Sequence, residues 1–288
     1  MLSVPAPAFT HDLLLKLFRT YCLIGGMPEI VAHYSAHKDL AALAPTYESL
    51  LVSYLDDVEK YARGGSQVDY IRHAIRSSFA EAGKRIRFRH FGNSAYKSRE
   101  MGEALRALEK ALLIHLIYPQ TSPVLPMLPD ISKSPRLHVL DTGMLNYFVG
   151  LQQEMLGTTD LNSVYQGTVI EHIVGQELLT RQYGALHGLA FWVREKRTSS
   201  AEVDYLVSYK ENLIPIEVKA GATGALRSLS LFIDMAPHNM AVRLYAGKTS
   251  LSAITTPQGK TVHLLNLPYY LVSQIDKYLH WFEEQIVN

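Results

Sequence analysis

Two short segments constrain this chain more than anything else in it. Ala201-Glu202-Val203-Asp204-Tyr205-Leu206-Val207 and Leu213-Ile214-Pro215-Ile216-Glu217-Val218-Lys219 both read as β strands, and the polar stretch Tyr209 to Asn212 between them suits a hairpin turn. Side chains two apart on a strand share a face. Glu202 and Asp204 therefore point the same way. Glu217 and Lys219 also share a face, while Ile214, Ile216 and Val218 take the other. Hairpin pairing sets Asp204 beside Glu217, so two carboxylates and an ammonium converge. Upstream, a helix expected over Ser163 to Tyr183, and ended by Gly184, carries Glu171 on one line with Gly167 and Gly175. A mid-helix glycine costs about 0.5–1 kcal/mol relative to alanine. Two of them around one acid imply a close backbone approach, with the sheet as the expected neighbour.

This set of groups suits phosphodiester cleavage. Hard cations such as Mg²⁺ take oxygen ligands, commonly one or two carboxylates together with water and substrate phosphate. The cation polarises the phosphoryl oxygen and acidifies bound water. A lysine beside it orients that water or steadies developing charge. The residues expected to hold Mg²⁺ or Mn²⁺ are Glu171, Asp204 and Glu217, with Lys219, Glu217 and Asp204 as the catalytic group. The plainer reading is a solvated strand face whose charges form a structural ion-pair cluster, because an acid-x-lysine triplet is short and common.

Along the 288 residues three regions differ in character. Residues 1–66 read as a helical segment. Leu14, Leu17, Phe18 and Tyr21 follow the i, i+3, i+4, i+7 pattern until Gly25-Gly26-Met27-Pro28 interrupts it, and Leu50, Leu51, Tyr54, Leu55 and Val58 resume it. Residues 67–150 read as a winged helix-turn-helix: a helix over Val68 to Ala82, a basic stretch, then a helix with Met101, Leu105, Leu108, Leu112 and Leu113 inward. Strands at Ile114 to Tyr118 and Leu137 to Leu140 then flank a proline-rich loop. Residues 151–288 read as an α/β domain of helix, three strands, helix and strand. The fold class is thus mixed, with helical and winged-helix parts ahead of a PD-(D/E)xK restriction-endonuclease-like domain.

The 28 Lys and Arg residues nearly balance the 27 Asp and Glu, for a net charge of +1, so any nucleic-acid contact must come from a local patch. The candidates are Lys97, Arg99, Arg106 and Lys110, on or beside the helix after the basic stretch; protein docking is the alternative use of such a module. Cys22 is the single cysteine and can form no internal disulfide. The opening residues lack the pattern of a signal peptide, and no stretch approaches the roughly 18 apolar residues of a membrane span. A cytoplasmic location follows from these features. His33 and His37 have metal-compatible spacing but no third ligand nearby, and Asp141-Thr142-Gly143 reads as a turn after a strand.

Several of these pieces, taken in order, resemble a known family. They are Gly25-Gly26-Met27-Pro28-Glu29, Lys133-Ser134-Pro135-Arg136-Leu137, Leu140-Asp141-Thr142-Gly143-Met144-Leu145, Gly167 with Glu171 and Glu177-Leu178, Trp192 and Arg194, Glu202-Val203-Asp204, and Pro215-Ile216-Glu217-Val218-Lys219. The chain resembles the C-terminal domain of unknown function of bacterial and archaeal AAA-type ATPases. That resemblance implies a winged-helix part before a PD-(D/E)xK-like fold, with Glu171, Asp204, Glu217 and Lys219 at the nuclease-like positions. It also implies DNA and an AAA-type ATPase domain or partner protein as partners. Full-length relatives carry an ATPase domain ahead of this region, whereas no G-x-x-x-x-G-K-[ST] motif occurs here. Gly247-Lys248-Thr249 has only its tail, with Val242 where the first glycine belongs. No ATP site is expected, and the chain reads as a truncation, a split gene product or a shortened relative. The alternative function is a non-catalytic DNA- or protein-binding module on a degenerate nuclease fold.

Overall fold

The computed structural model describes residues 7–62, 64–150, 168–181, 188–196, 199–219 and 226–287. In chain order the helices are α1 (Ala8–Ile24), α2 (Pro28–His37), α3 (Ala44–Tyr61), α4 (Gly65–Glu81), α5 (Ser98–Lys110), α6 (Thr142–Phe148), α7 (Thr168–Thr180), α8 (Arg227–Met235) and α9 (Ile275–Val287). The strands are β1 (Ile114–Ile117), β2 (Pro119–Gln120), β3 (Arg136–Val139), β4 (Ala190–Lys196), β5 (Ser199–Tyr209), β6 (Asn212–Val218), β7 (Met240–Tyr245), β8 (Ser250–Thr255) and β9 (Thr261–Pro268). The chain is mixed α/β, with an N-terminal helical region and a C-terminal mixed sheet. Its residues group into two compact units, one of Arg19–Leu116 and Ser134–His172, the other of Met1–Phe18, Ile117–Lys133 and Ile173–Asn288. The start of the helix expected from Ser163, including Gly167, lies outside the described residues.

In the first unit, α4 and α5 bury Ile71, Ala74 and Ile75 against Met101, Ala104, Leu105 and Leu108. The periodicity that makes α5 amphipathic turns its charged residues outward. β1 and β3 form a two-stranded sheet. The backbone just after α4 runs alongside β3: Arg85 bridges Arg136, Leu137 N–H donates to Lys84 O, and Ile86 N–H donates to Pro135 O.

The segment Asp141-Thr142-Gly143 is a structural clamp rather than a simple turn. Asp141 caps α6, with Oδ1 accepting from Met144 N–H at 2.9 Å, and its Oδ2 accepts Gly26 N–H at 2.7 Å. One buried carboxylate thus ties the break between α1 and α2 to the start of α6. Two glycines make room for it. Gly25 has φ +73°, and a Cβ there would stand 2.2 Å from Asp141 Oδ1; a Cβ on Gly143 would stand 2.0 Å from Ile24 O. Tyr47 OH donates to Ile24 O, and Asn146 Nδ2 donates to Cys22 O, which satisfies the last carbonyls of α1. Burial raises the Asp141 carboxyl, against the pull of the Gly26, Met144 and Gly143 N–H groups.

The second unit holds a seven-stranded sheet in the order β2-β4-β5-β6-β7-β9-β8. The run β4-β5-β6 is antiparallel; β6-β7 and β7-β9 are parallel, with α8 crossing from β6 to β7. α8 packs Leu229, Phe232 and Ile233 on Leu206, Leu213, Ala241 and Leu264. Trp192 meets Phe232 edge-on with ring centres 5.4 Å apart. Part of the proline-rich loop forms β2, an edge strand where Pro119 needs no N–H partner. Gln120, buried there, accepts Leu128 N–H at 2.6 Å, and Trp192 Nε1 donates to Thr121 O.

His138 and His172 stack in the first unit with ring centres 4.4 Å apart. His172 Nε2 lies 3.2 Å from Val139 O. Burial lowers both imidazoles, His172 to about 4 against the pull of Val139 O, and His138 well below its ordinary value with further push from His172 and Arg136. The unfolded chain therefore takes up protons that the native state refuses as pH falls from the ordinary histidine range. Stability is full above about pH 6.5 and falls toward about pH 4, the value to which burial lowers His172. Urea unfolding across this range checks the slope, and His172→Gln flattens it. By the same assay Asp141→Ala costs about 3 kcal/mol, because it leaves buried N–H groups without acceptors.

Candidate functional site

The site residues of the sheet come from the β5–β6 hairpin. Its pairs run from Tyr209 with Asn212 to Tyr205 with Ile216, closed by the turn Lys210-Glu211, where Lys210 adopts φ 50°. One residue past the last pair stand Asp204 and Glu217. β5 also holds one extra residue against β4, since Trp192 pairs with Val203 but Ala190 with Leu206. This bulge lets Val203 and Leu206, three apart, enter the same core beneath α8, and it puts Asp204 where the ladder is irregular.

The bonds at this end of the hairpin are short and local. Val218 N–H donates to Asp204 Oδ2 at 2.8 Å. Lys219 Nζ donates to Glu217 Oε1 at 2.6 Å, with the Glu217 side chain 8% exposed and that of Lys219 25%. Lys219 N–H continues the sheet to Leu244 O at 2.9 Å, and the Tyr269 hydroxyl donates to the Lys219 carbonyl. Lys219 is thereby fixed at its backbone. The hairpin brings Asp204, Glu217 and Lys219 together. Glu171 stands half-buried in the first turn of α7 and belongs to the other compact unit. Among the described residues no three His, Cys, Asp or Glu side chains form a group able to hold a metal ion.

The four candidate nucleic-acid contacts of the first unit lie on or beside α5. Arg99, Arg106 and Lys110 lie along α5, with Lys97 at its start, and all are solvent-exposed. Arg99 Nε pairs with Glu103 Oε1 at 3.1 Å, which offsets one of these charges, and Lys97 N–H donates to Glu100 Oε2 at 2.8 Å. His33 and His37 on α2 have ring centres 4.8 Å apart. Among the described residues no helix is long and apolar enough to cross a membrane.

Residues 15–155 match a family described as Domain of unknown function (DUF8612), and residues 166–270 match a second described as Domain of unknown function (DUF4143). The second is commonly a C-terminal region of AAA-type ATPases. No curated protein matches the chain.

The carboxylate of Glu217 is buried and its near cation is Lys219. Lys219→Ala therefore destabilises the sheet unit by about 3 kcal/mol, and Glu217→Gln combined with Lys219→Ala recovers part of the loss, as expected when a single truncation strands a buried charge. Denaturant unfolding of the three variants provides the measurement.

Proposed function

We propose that this chain is the C-terminal module of an AAA-type ATPase system and that its sheet unit bears a divalent-cation-dependent site for cleaving DNA phosphodiesters. The observation that carries this reading is the meeting of Asp204, Glu217 and Lys219 at the end of one hairpin. The sequence of elements supports it: helix α7, antiparallel β4, β5 and β6, helix α8 and parallel β7 follow in the order of a PD-(D/E)xK fold. The backbone bridge between the residues after α4 and β3, together with α5 and β1, supports a winged-helix reading of the first unit.

The donor set fits a hard cation. Asp204 and Glu217 offer carboxylate oxygens from adjacent strands, the number of protein carboxylates Mg²⁺ or Mn²⁺ commonly takes. When bound, the cation supplies charge neutralisation at phosphate and a more acidic water. Lys219 Nζ holds Glu217 in position and presents a positive charge to the same space. Lys97, Arg99, Arg106 and Lys110 are the proposed contacts to DNA phosphates, in a cytoplasmic setting.

A second reading is a non-catalytic binding module. It is favoured by the way the hairpin satisfies its own charges, with Lys219 on Glu217 and Val218 N–H on Asp204. Calorimetric titration with Mn²⁺ separates the two. The cleavage reading expects heat that disappears in Asp204→Ala, and a Lys219→Ala variant that binds Mn²⁺ but cleaves about 100-fold more slowly. No Mn²⁺ heat, with DNA binding intact in Lys219→Ala, leaves the non-catalytic reading.

A further inference from the structure

The sheet carries a second polar feature that the acid–lysine group does not use. β7, β8 and β9 and the first turns of α8 border an open cleft of about 590 Å³. Arg227 and Arg243 line it, with the hydroxyl residues Ser230, Ser252 and Thr255. The Arg243 guanidinium lies over the Tyr245 ring, 4.6 Å from its centre, while its Nε is buried without a hydrogen-bond partner. Arg227 is exposed at the first residue of α8. Among the described residues neither arginine pairs with a carboxylate. The N-cap of α8, Leu226, offers no side-chain acceptor, so the amides of its first turn add positive potential to the same wall.

This concentration of unbalanced positive charge asks for an anion. Two planar guanidinium forks match phosphate oxygens in a way that ammonium groups do not. The register also fixes where that anion lies. Glu217 pairs with Arg243 and Arg243 with Asn266, so the three share a row across β6, β7 and β9. Adjacent strands stand about 4.8 Å apart. The face is the one that α8 covers further along, because Leu213, Ala241 and Leu264 of the same parity enter its core. The cleft therefore opens one strand away from the Glu217–Lys219 pair, on the same face of the sheet. It is bordered by the exposed edge strand β8.

We infer that the cleft is a phosphate subsite for a nucleic-acid strand, with Arg227 and Arg243 holding a backbone phosphate beside the acid–lysine group; this rests on the phosphodiester reading above. The test is anisotropy of a labelled single-stranded DNA on the full chain, with divalent cations chelated, at several salt concentrations. Arg227→Gln with Arg243→Gln is expected to weaken binding at least about tenfold and to reduce the salt slope by about 1.4, as for two lost single-strand phosphate contacts. Arg243→Lys restores part of the affinity, and the exposed Arg227→Gln alone gives a smaller loss in the same direction. Unchanged affinity and slope in the double variant, with an unchanged unfolding midpoint, overturns the subsite. So does arginine-dependent binding of a mononucleotide without arginine-dependent binding of the strand. Mn²⁺ calorimetry on the same double variant keeps the two ideas apart. A chain with no Mn²⁺ heat but arginine-dependent DNA binding retains the subsite and loses the cleavage reading.

Discussion

The pairing register of β5 and β6 is the constraint on which the rest of the sheet unit depends. Strand side chains alternate with a period of two, so a slip by one residue would exchange the faces of Leu213, Pro215 and Glu217 with those of Ile214 and Ile216. Both sets are buried, so hydrophobicity alone does not choose between them. The turn at Lys210-Glu211 and the fit of Leu206 and Leu213 beneath α8 make the choice. Once it is made, Glu217 faces the side where Arg243 and Asn266 also lie. Every polar group of functional interest in the sheet inherits its position from that one alignment.

The charges of this region fall into two kinds. Glu217 at the end of β6 and Lys219 just past it pair with each other, which makes either charge less costly to bury than it would be alone. Arg227 and Arg243 come from different elements, and no acid among the described residues answers them. Compensated charge stabilises a position in the fold, whereas uncompensated charge at a cleft lowers the free energy of whatever anion arrives from solvent. The same distinction separates Asp141, whose oxygens are taken up by backbone N–H groups of its own fold, from a carboxylate left to meet a ligand.

Much of this was legible in the residues because periodicity reports burial. The spacing in α3 and the stripe of α5 as far as Leu108 each reflect an inward face, whereas Leu17 of α1 is 56% exposed, Leu112 lies beyond the end of α5 at 61% exposed, and β6 is buried on both faces. The acid–lysine group stands out as charge set between apolar neighbours. β8 escaped notice for the opposite reason: Ser250–Thr255 is an almost wholly exposed edge strand, so no apolar pattern marks it. β2 was hidden within a proline-rich loop, where proline argued against a strand although an edge tolerates it. The bulge in β5 is invisible to an alternation rule because it exists only relative to β4. Asp141 reads as a turn residue because its partner, Gly26, is distant in sequence.

The edge strand β2 has a consequence for how the molecule is made. Pro119 and Gln120 leave the ribosome well before Phe191 and Trp192, the residues they pair with, have been synthesised. Neither compact unit is a single continuous stretch, so this segment waits for strand partners that lie about seventy residues further along the chain. Two residues with one proline make a poor template for pairing with a stranger, and the brevity of β2 shields the growing polypeptide from promiscuous strand exchange until its proper neighbour emerges.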